Sequence, residues 1–275
     1  METTFQALIM GIVQGLTEFL PVSSSGHLVI VPHLLGWTDP FITSLAFSVM
    51  LHLGTLVALL VYFRADWLVI IPAGVSSLRE RSLGTDPNRK LAWLLVVATI
   101  PAVIAGPILN DRLEAAVRTA EDVAIALVIG AAILWLADQV GRKVDGIEKV
   151  TFPLALVFGL AQSIALVPGI SRAGMTISAG LFAGLTREAA ARFSFLMATP
   201  IIAGAGVFEA RKLVTGEAGV PVQAGPLVVG MVAALVAGLA AIHLMLRYLR
   251  THSYGIFVVE RIVIAALVLV VFLSR

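Results

Sequence analysis

Cysteine is absent from the 275 residues, and charged side chains are scarce, at 13% of the chain. The absence of cysteine excludes disulfides and thiolate metal sites, so any metal would be bound through oxygen or imidazole. A water-soluble domain carries about 25% charge. The low charge, the 59% of apolar residues and the mean hydropathy of +0.99 are instead typical of a protein whose solvent is lipid.

The small excess of basic residues does not indicate a nucleic-acid partner. The formal net charge is +2 and the sequence pI is near 9.2. These basic residues are scattered over loops between apolar stretches and form no patch. We therefore expect the lipid bilayer, and no nucleic acid, to be the partner of this chain.

Six apolar stretches approach the ~20 residues that a helix needs to cross a ~30 Å hydrocarbon layer. They are residues 43–63, 91–109, 121–140, 190–210, 226–247 and 255–273. A backbone in lipid must satisfy its own hydrogen bonds, which favours helices. The sequence predicts an all-α membrane protein with six transmembrane helices.

Two further apolar segments are broken in the middle. Residues 5–35 contain Pro21, three serines and Gly26 at their centre, and residues 152–185 contain Pro168 and two glycines in the same role. Proline and glycine stop a helix, and irregular backbone at membrane depth survives only when it is buried in protein or lines a wet cavity. We expect each segment to be a re-entrant pair of half-helices joined by a loop.

The two broken segments indicate an internal repeat. When Pro21 is set against Pro168, Ser24 falls on Ser171, and the pair Phe47-Ser48 lies near the position of Phe193-Ser194. The predicted halves are residues 1–145 and 146–275, each with one broken segment and three spans. Because three is odd, the second half is expected to be inverted, an arrangement that places a site at the midplane between broken helices.

The distribution of Lys and Arg predicts the orientation. The richer side holds Arg64, Arg79, Arg81, Arg89, Lys90, Arg142, Lys143, Lys149, Arg187, Arg192, Arg247 and Arg250, and the poorer side holds Arg112, Arg118, Arg211, Lys212 and Arg275. The positive-inside rule makes the richer side cytoplasmic. Both termini and the mouth of the first broken segment should then face outward, with residues 65–89 as a cytoplasmic interfacial helix and loop.

Glu18, His27 and Arg172 all fall in the broken segments, where an ionisable side chain is costly and is taken as functional by default. Each also has a structural interpretation: a satisfied buried histidine, an ion pair between Glu18 and Arg172, or an arginine bonded to loop carbonyls. Ser23, Ser24, Ser25, Ser171 and Thr176 accompany them. The combination favours a functional site.

The chemistry of this group suits an anionic ligand. Arg172 offers a planar fork of donors for phosphate oxygens, and half-helices that begin after the two loops point N–H groups at the same place. Gln14 and Glu18 share one helix face and are candidate ligands for Mg²⁺ or Ca²⁺. Ser24 precedes His27 by three residues, and the spacing leaves Ser24, His27 and a water as candidate attacking groups.

The stretch from Gln14 to His27, QGLTEFLPVSSSGH, resembles the first signature of the undecaprenyl-diphosphate phosphatases, (E/Q)xxxE followed by PVSSxGH. Residues 168–176, PGISRAGMT, are similar to their second signature, PGxSRSxxT. The resemblance covers essentially the whole chain. It implies hydrolysis of undecaprenyl diphosphate to undecaprenyl phosphate and phosphate, with a divalent cation, at a site open to the outer face of a bacterial plasma membrane. The family recycles this carrier for peptidoglycan synthesis and confers bacitracin resistance when abundant.

By this resemblance, Glu18 is the essential acid, Ser24 the proposed nucleophile, His27 the catalytic histidine and Arg172 the phosphate-binding arginine. The residues expected to contact substrate are Ser23, Ser25, Gly26, Gly169, Ser171 and Thr176. Two positions depart from the family pattern. Gln14 stands where many members have glutamate, which weakens the case for a metal site with two carboxylates. Ala173 replaces the second serine of the SRS triplet.

Other polar residues in the spans have structural interpretations. His52 has two interpretations: it approaches the site, or, as we favour, it is a core histidine that packs against a loop. Glu260 and Arg261 are expected to snorkel or to pair with each other near the cytoplasmic start of the last span. The small residues from Gly230 to Ala241 pack helices within one chain or between two, so a homodimer stays open.

Two other functions compete with the phosphatase. A transporter or flippase of a polyprenyl lipid would share inverted repeats and broken helices, but it would need only binding groups, and not an acid, a hydroxyl and an imidazole together. A second class of lipid phosphatase has PSGH followed by SRxxxxxHxxxD. This chain has Ser178 where the later histidine belongs, which argues against that class.

Overall fold

The computed structural model describes residues 1–116, 120–215 and 221–273, so Arg118 and Arg275 lie outside the described residues. Within these ranges the elements are helices, apart from one bridge between Asp145 and Leu185. The helices are α1 (Glu2–Phe19), α2 (Ser24–Leu35), α3 (Leu45–Tyr62), α4 (Arg64–Glu80), α5 (Pro87–Ala116), α6 (Ala120–Val140), α7 (Phe152–Ile164), α8 (Arg172–Phe182), α9 (Arg187–Thr215), α10 (Ala224–Tyr248) and α11 (Gly255–Leu273), with a short 3-10 turn at Ile147–Lys149. The all-α prediction is confirmed.

Within the described residues, five helices are long and apolar enough to cross a membrane. They cover Leu45–Tyr62, Pro87–Ile108, Glu121–Val140, Arg187–Phe208 and Ala224–Tyr248. These match five of the six predicted spans. The sixth predicted span is the helix α11, which is not among these five. The predicted interfacial stretch is the separate helix α4, which exposes Leu68, Ile71 and Leu78 along its length.

Both broken segments are pairs of short helices. The helix α1 ends at Phe19, just before Pro21, and α7 ends at Ile164, just before the Pro168 loop. The following helices begin with the same unusual cap: Ser23 has a φ of 75° and accepts a hydrogen bond from Gly26 N, and Ser171 has a φ of 76° and accepts one from Gly174 N. Such backbone costs of order 1–3 kcal/mol in a residue other than glycine.

These caps place Ser23, and not Ser24, in the position that corresponds to Ser171. The alignment predicted from the two prolines, which sets Ser24 against Ser171, is therefore wrong by one residue at the loops. The first loop has Pro21 two residues before its cap, and the second has Pro168 three residues before its cap. The extra residue is in the second loop, where Gly169 adopts a φ of 94°.

The helix contacts of the two halves correspond to each other. The first broken segment packs α1 on α10, and the second packs α7 on α5. Likewise α3 contacts α10 while α9 contacts α5, and α2 contacts α11 while α8 contacts α6. Each half therefore supplies the helices that cover the other half's broken segment.

Close backbone contact between α1 and α10 depends on small residues. A Cβ on Gly11 would lie 2.2 Å from the carbonyl oxygen of Gly230, and one on Gly15 would lie 2.5 Å from that of Ala234. Gly54 of α3 approaches Met231 in the same way. Part of the small-residue run from Gly230 to Ala241 thus packs helices within one chain.

Ion pairs join the basic loops at one end of the bundle. Asp138, at the end of α6, accepts a hydrogen bond from Arg187 Nε at 2.6 Å and another from Tyr254 N at 3.1 Å. At the same end Asp66 pairs with Arg192, and Glu188 pairs with Arg250 at 3.1 Å. Arg187, Arg192 and Arg250, three of the residues on the basic side of the predicted topology, therefore lie at one end of the bundle.

We expect the variant Gly15→Ala to destabilise the protein by about 1–3 kcal/mol, because its methyl group would force α1 away from α10. The measurement is thermal unfolding in detergent, followed by tryptophan fluorescence. Gly204→Ala is the matched control, since a Cβ on this helical glycine meets nothing within 4 Å. Equal melting temperatures for the two variants would contradict the packing argument.

Candidate active site

A cavity of about 330 Å³ lies between the two loops. Its polar wall carries Glu18, Ser24, His52, Gln162, Ser171 and Arg172. Most of the remaining lining is apolar and comes from α3, α5 and α9, with Val49, Ala102 and Ile202 as examples. The cavity thus combines one charged region with a surface suited to hydrocarbon.

Glu18 is the centre of the polar wall. Its Oε1 accepts a short hydrogen bond from Arg172 Nη2, which joins the two broken segments. Its Oε2 accepts from Ser24 Oγ at 2.5 Å and from Gln14 Nε2 at 3.1 Å. His52 Nε2 lies 3.4 Å from the same oxygen. Glu18 is 6% exposed, so these partners replace water around the carboxylate.

Several polar atoms in or next to the cavity lining are buried and have no hydrogen-bond partner among the described residues. Arg172 Nη1 and both side-chain polar atoms of Gln162 belong to residues that line the cavity. Gln14 Oε1 belongs to a residue that bonds Glu18 but does not itself line the cavity. An unpaired buried donor or acceptor costs about 1–3 kcal/mol. Since Arg172 also faces the cavity, its free donor indicates a place for an anionic ligand.

The two loops bring two helix N-termini to this cavity. The helices α2 and α8 begin at Ser24 and Arg172, and both of these residues line it. The loops touch at Gly26, where a Cβ would lie 3.6 Å from Gly169 Cα, an ordinary contact distance, and 3.2 Å from a methyl group of Val123. Helix N-termini and guanidinium groups are the groups with which proteins commonly bind phosphate oxygens.

Of the remaining residues predicted to bind substrate, some line the cavity and others do not. Ser23 and Ser25 line it, and their hydroxyl oxygens are 3.4 Å apart. Ser171 lines it as the cap of α8. Thr176 does not: it is fully buried and bonds Arg172 O at 2.8 Å and Ser194 Oγ at 2.6 Å. Its hydroxyl supports the first turn of α8.

His27 does not face the cavity, contrary to the expectation that it could attack substrate or activate Ser24. Its Nδ1 lies 2.8 Å from Ser23 O, and its Nε2 lies 2.9 Å from Glu260 Oε1. His27 follows Ser24 by three residues, a spacing that places two side chains near each other on a helix, but its ring is turned towards the first loop and α11. Both ring nitrogens therefore have partners other than Ser24 in this arrangement.

The expectation for Glu260 and Arg261 is also wrong. They neither snorkel nor pair with each other: Glu260 bonds His27, and Arg261 is fully buried and bonds backbone carbonyls of both loops. The reason is that α11 packs on α2 and α6 beside the loops. This face of α11 is therefore buried against protein instead of the membrane boundary.

Two further residues line the cavity. For His52 the less favoured of the two sequence interpretations is the correct one: it lines the cavity, with its Nδ1 2.7 Å from Ser48 O and its Nε2 towards Glu18. Gln162 was not singled out. A signal for Gln162 exists, because it precedes the cap Ser171 by the same number of residues as Gln14 precedes Ser23.

The protein alone offers few ligands for a divalent cation. The described residues contain no group of three or more His, Asp or Glu side chains that could hold a metal. The predicted pair contributes one carboxylate, Glu18, and the unpartnered oxygen of Gln14. Mg²⁺ is often held by one or two carboxylates together with substrate phosphates, so the pair fits a cation that binds with a diphosphate.

Comparison with known proteins identifies the family. The family described as "Bacitracin resistance protein BacA" matches residues 7–267. The chain belongs to this family. Its similarity to individual members extends over both broken segments and all the helices between them, so the site described above lies inside the matched region.

Individual members of the BacA family match along their full length. A protein named "Undecaprenyl-diphosphatase" from Desulforudis audaxviator is 44% identical over 271 residues, which cover 98% of each chain. Proteins of the same name from Gemmatimonas aurantiaca and Geobacter sulfurreducens are each 42% identical, over 99% and 98% of both chains.

We expect Arg172→Lys to weaken the binding of inorganic diphosphate by roughly tenfold or more, because lysine loses the planar fork of donors. Isothermal titration calorimetry of the purified protein measures the change. Arg187→Lys is the matched control, since Arg187 pairs with Asp138 at the far end of the bundle. Unchanged affinity in the Arg172 variant would remove this arginine from the site.

Proposed function

We propose that this chain hydrolyses undecaprenyl diphosphate to undecaprenyl phosphate and inorganic phosphate. The observation that carries the proposal is the cluster of Glu18, Ser24 and Arg172 on the polar wall of a cavity whose remaining lining is mostly apolar. A diphosphate lipid has a charged head group and an apolar tail, which correspond to the polar and apolar regions of the cavity. Relatives at 40–44% identity carry the name of this activity. Recycling of the carrier in this way would serve peptidoglycan synthesis and counter bacitracin.

The hydrogen bond from Ser24 Oγ to Glu18 Oε2 supports a serine nucleophile with a carboxylate base. Ser24 Oγ attacks the terminal phosphorus while its proton passes to Glu18. The bond to the bridging oxygen breaks, and undecaprenyl phosphate leaves. Water then attacks the phosphoserine, and Ser24 recovers its proton from Glu18. The oxygen of the water ends on inorganic phosphate, and the surplus proton leaves with the products.

Arg172 and the two helix N-termini hold the diphosphate during these steps. The free Nη1 of Arg172 is the donor available to a phosphate oxygen while Nη2 stays on Glu18. A divalent cation, Mg²⁺ or Ca²⁺, would be held by Glu18 and Gln14 together with phosphate oxygens. When bound, it would neutralise part of the charge that the leaving group acquires.

The paired packing of the two halves supports an inverted repeat with six transmembrane helices and two re-entrant segments. In this arrangement α11 is the sixth span. The basic loops, which ion pairs join at one end, face the cytoplasm according to the positive-inside rule. The termini and the mouth of the cavity then face the outside of the bacterial plasma membrane, where a diphosphate carrier is released.

An apolar groove of about 660 Å³ lies along α5 and α9 and is the proposed site for the isoprenoid tail. The groove and the cavity have no described lining residue in common, but consecutive residues of both helices line one or the other: Ala102 and Ile201 line the cavity, and Val103 and Pro200 line the groove. The helices α3 and α4 complete the walls of the groove. Its lining is almost entirely apolar.

The proposed activity is tested by phosphate release from undecaprenyl diphosphate with purified protein in detergent. Release in multiple turnovers is expected. The transporter alternative predicts none, because a transport site has no reason to break the anhydride bond. Absence of turnover with and without Mg²⁺ or Ca²⁺ would refute the proposal.

The role of Ser24 is tested by comparing Ser24→Ala with Ser25→Ala. Both hydroxyls line the cavity, but only that of Ser24 contacts Glu18. We expect Ser24→Ala to lose at least about 10³-fold in kcat, as removal of a nucleophile does, and Ser25→Ala to lose far less. A phosphorylated peptide containing Ser24 should appear in wild-type protein quenched with acid. Similar losses in both variants, with no phosphopeptide, would favour attack by water.

The tail site is tested with substrates of two lengths. Ala203→Phe fills the groove and should raise KM for undecaprenyl diphosphate by roughly tenfold, the order expected when a well-buried apolar contact is lost. It should leave KM for farnesyl diphosphate nearly unchanged. Val232→Phe, at an exposed position on α10, is the control. Equal effects on both substrates would place the tail elsewhere.

A further inference from the structure

Arg261 of α11 is a fully buried cation that touches both loops. Its Nη1 donates to Pro21 O at 3.3 Å, in the first loop. Its Nη2 donates to Gly169 O at 2.9 Å and to Ile170 O at 2.7 Å, in the second. Its Nε donates to Leu127 O of α6 at 3.1 Å. All of these partners are backbone carbonyl oxygens.

The loops need such a partner. Carbonyl groups in a broken helix have lost their helical donors, and in an apolar interior no water replaces them. Arginine carries five N–H donors in a fixed plane, which lets one side chain serve carbonyls from two directions. Burial of the guanidinium charge is costly unless the group is hydrogen-bonded. The side chain is therefore stable only where these carbonyl acceptors surround it.

The carbonyls it binds lie next to the reacting groups in the sequence. Pro21 stands between Glu18 and Ser24, and Ile170 is two residues before Arg172. Arg261 itself does not line the cavity. We propose that Arg261 is a positioning residue: it fixes the two loops relative to each other and so sets the distance from Ser24 to the phosphate that Arg172 holds.

A neighbouring contact also holds the first loop in place. Glu260 bonds His27 Nε2 at 2.9 Å, and His27 Nδ1 lies 2.8 Å from Ser23 O. Two consecutive residues of α11 therefore reach carbonyls on either side of Val22. This gives His27 a role in holding the loop while it stays outside the cavity.

Gly130 of α6 offers a way to disturb Arg261 without replacing it. A Cβ at Gly130 would lie 2.1 Å from Arg261 Nη2 and 2.5 Å from Ile170 O. Alanine at this position must displace the guanidinium or the second loop. Gly106→Ala is the matched control, because a Cβ on this helical glycine meets nothing within 4 Å.

The experiment compares Arg261→Lys, Arg261→Met, Gly130→Ala and Gly106→Ala in purified form. Turnover of undecaprenyl diphosphate is divided by the number of sites that bind inorganic diphosphate, so that unfolded protein is not counted. We expect kcat per site to fall about 10²-fold in Arg261→Met and Gly130→Ala, the order of loss that a 1 Å misplacement produces, with KM changed less than about threefold. Arg261→Lys should retain more activity than Arg261→Met, and Gly106→Ala should match wild type.

Coupling between the two positions gives the second test. The double variant Gly130→Ala with Arg261→Lys should be no slower than the slower single variant, since both act on one contact. Full kcat per site in Gly130→Ala, or losses that add in the double variant, would overturn the inference. This kinetic test rests on the proposed function. A wild type that releases no phosphate would refute that function, whereas an active wild type with fully active variants would refute only the role of Arg261.

Discussion

The ion pair between Glu18 and Arg172 is the contact on which the site depends. It joins the end of α1 to the start of α8, which are far apart in the sequence and belong to different halves of the molecule. Removal of one member of a buried pair leaves the other charge without compensation, at a cost of about 3–5 kcal/mol. The pair therefore holds the two loops together, and it keeps Glu18 where Ser24 Oγ donates a hydrogen bond to it.

In the proposed function, the same arrangement favours a head group of high negative charge. A ligand that enters meets the free Nη1 of Arg172 while Nη2 stays on Glu18, and it also meets two helix N-termini. The apolar residues that α3, α5 and α9 contribute to the same cavity would favour a lipid over a soluble phosphate.

Much of the fold was predictable because the bilayer restricts what a sequence can do. Long apolar runs predicted the spans. Pro21 and Pro168, together with the serines and glycines beside them, predicted the breaks. Proline alone would not have done so, because Pro101, Pro107 and Pro200 lie inside helices. The meeting of Glu18, Ser24 and Arg172 followed from placing both breaks at the same depth. The direction of the His27 ring, the inward face of α11 and the place of His52 did not follow, because they depend on how each helix is rotated about its axis against its neighbours. The positive φ angles of Ser23 and Ser171 determine how the two loops align with each other. The identity of these residues as serines does not predict such angles.

The packing of α1 on α10 has a consequence for how the chain is made. The glycine face of α1 fits the backbone of α10, and α10 is translated near the end of synthesis. Until then α1 can pack only on α2 and α3 among its neighbours, and the first loop lacks the donors that α11 brings. The N-terminal segment therefore cannot complete its packing before the last two helices are made, although the ribosome delivers it first.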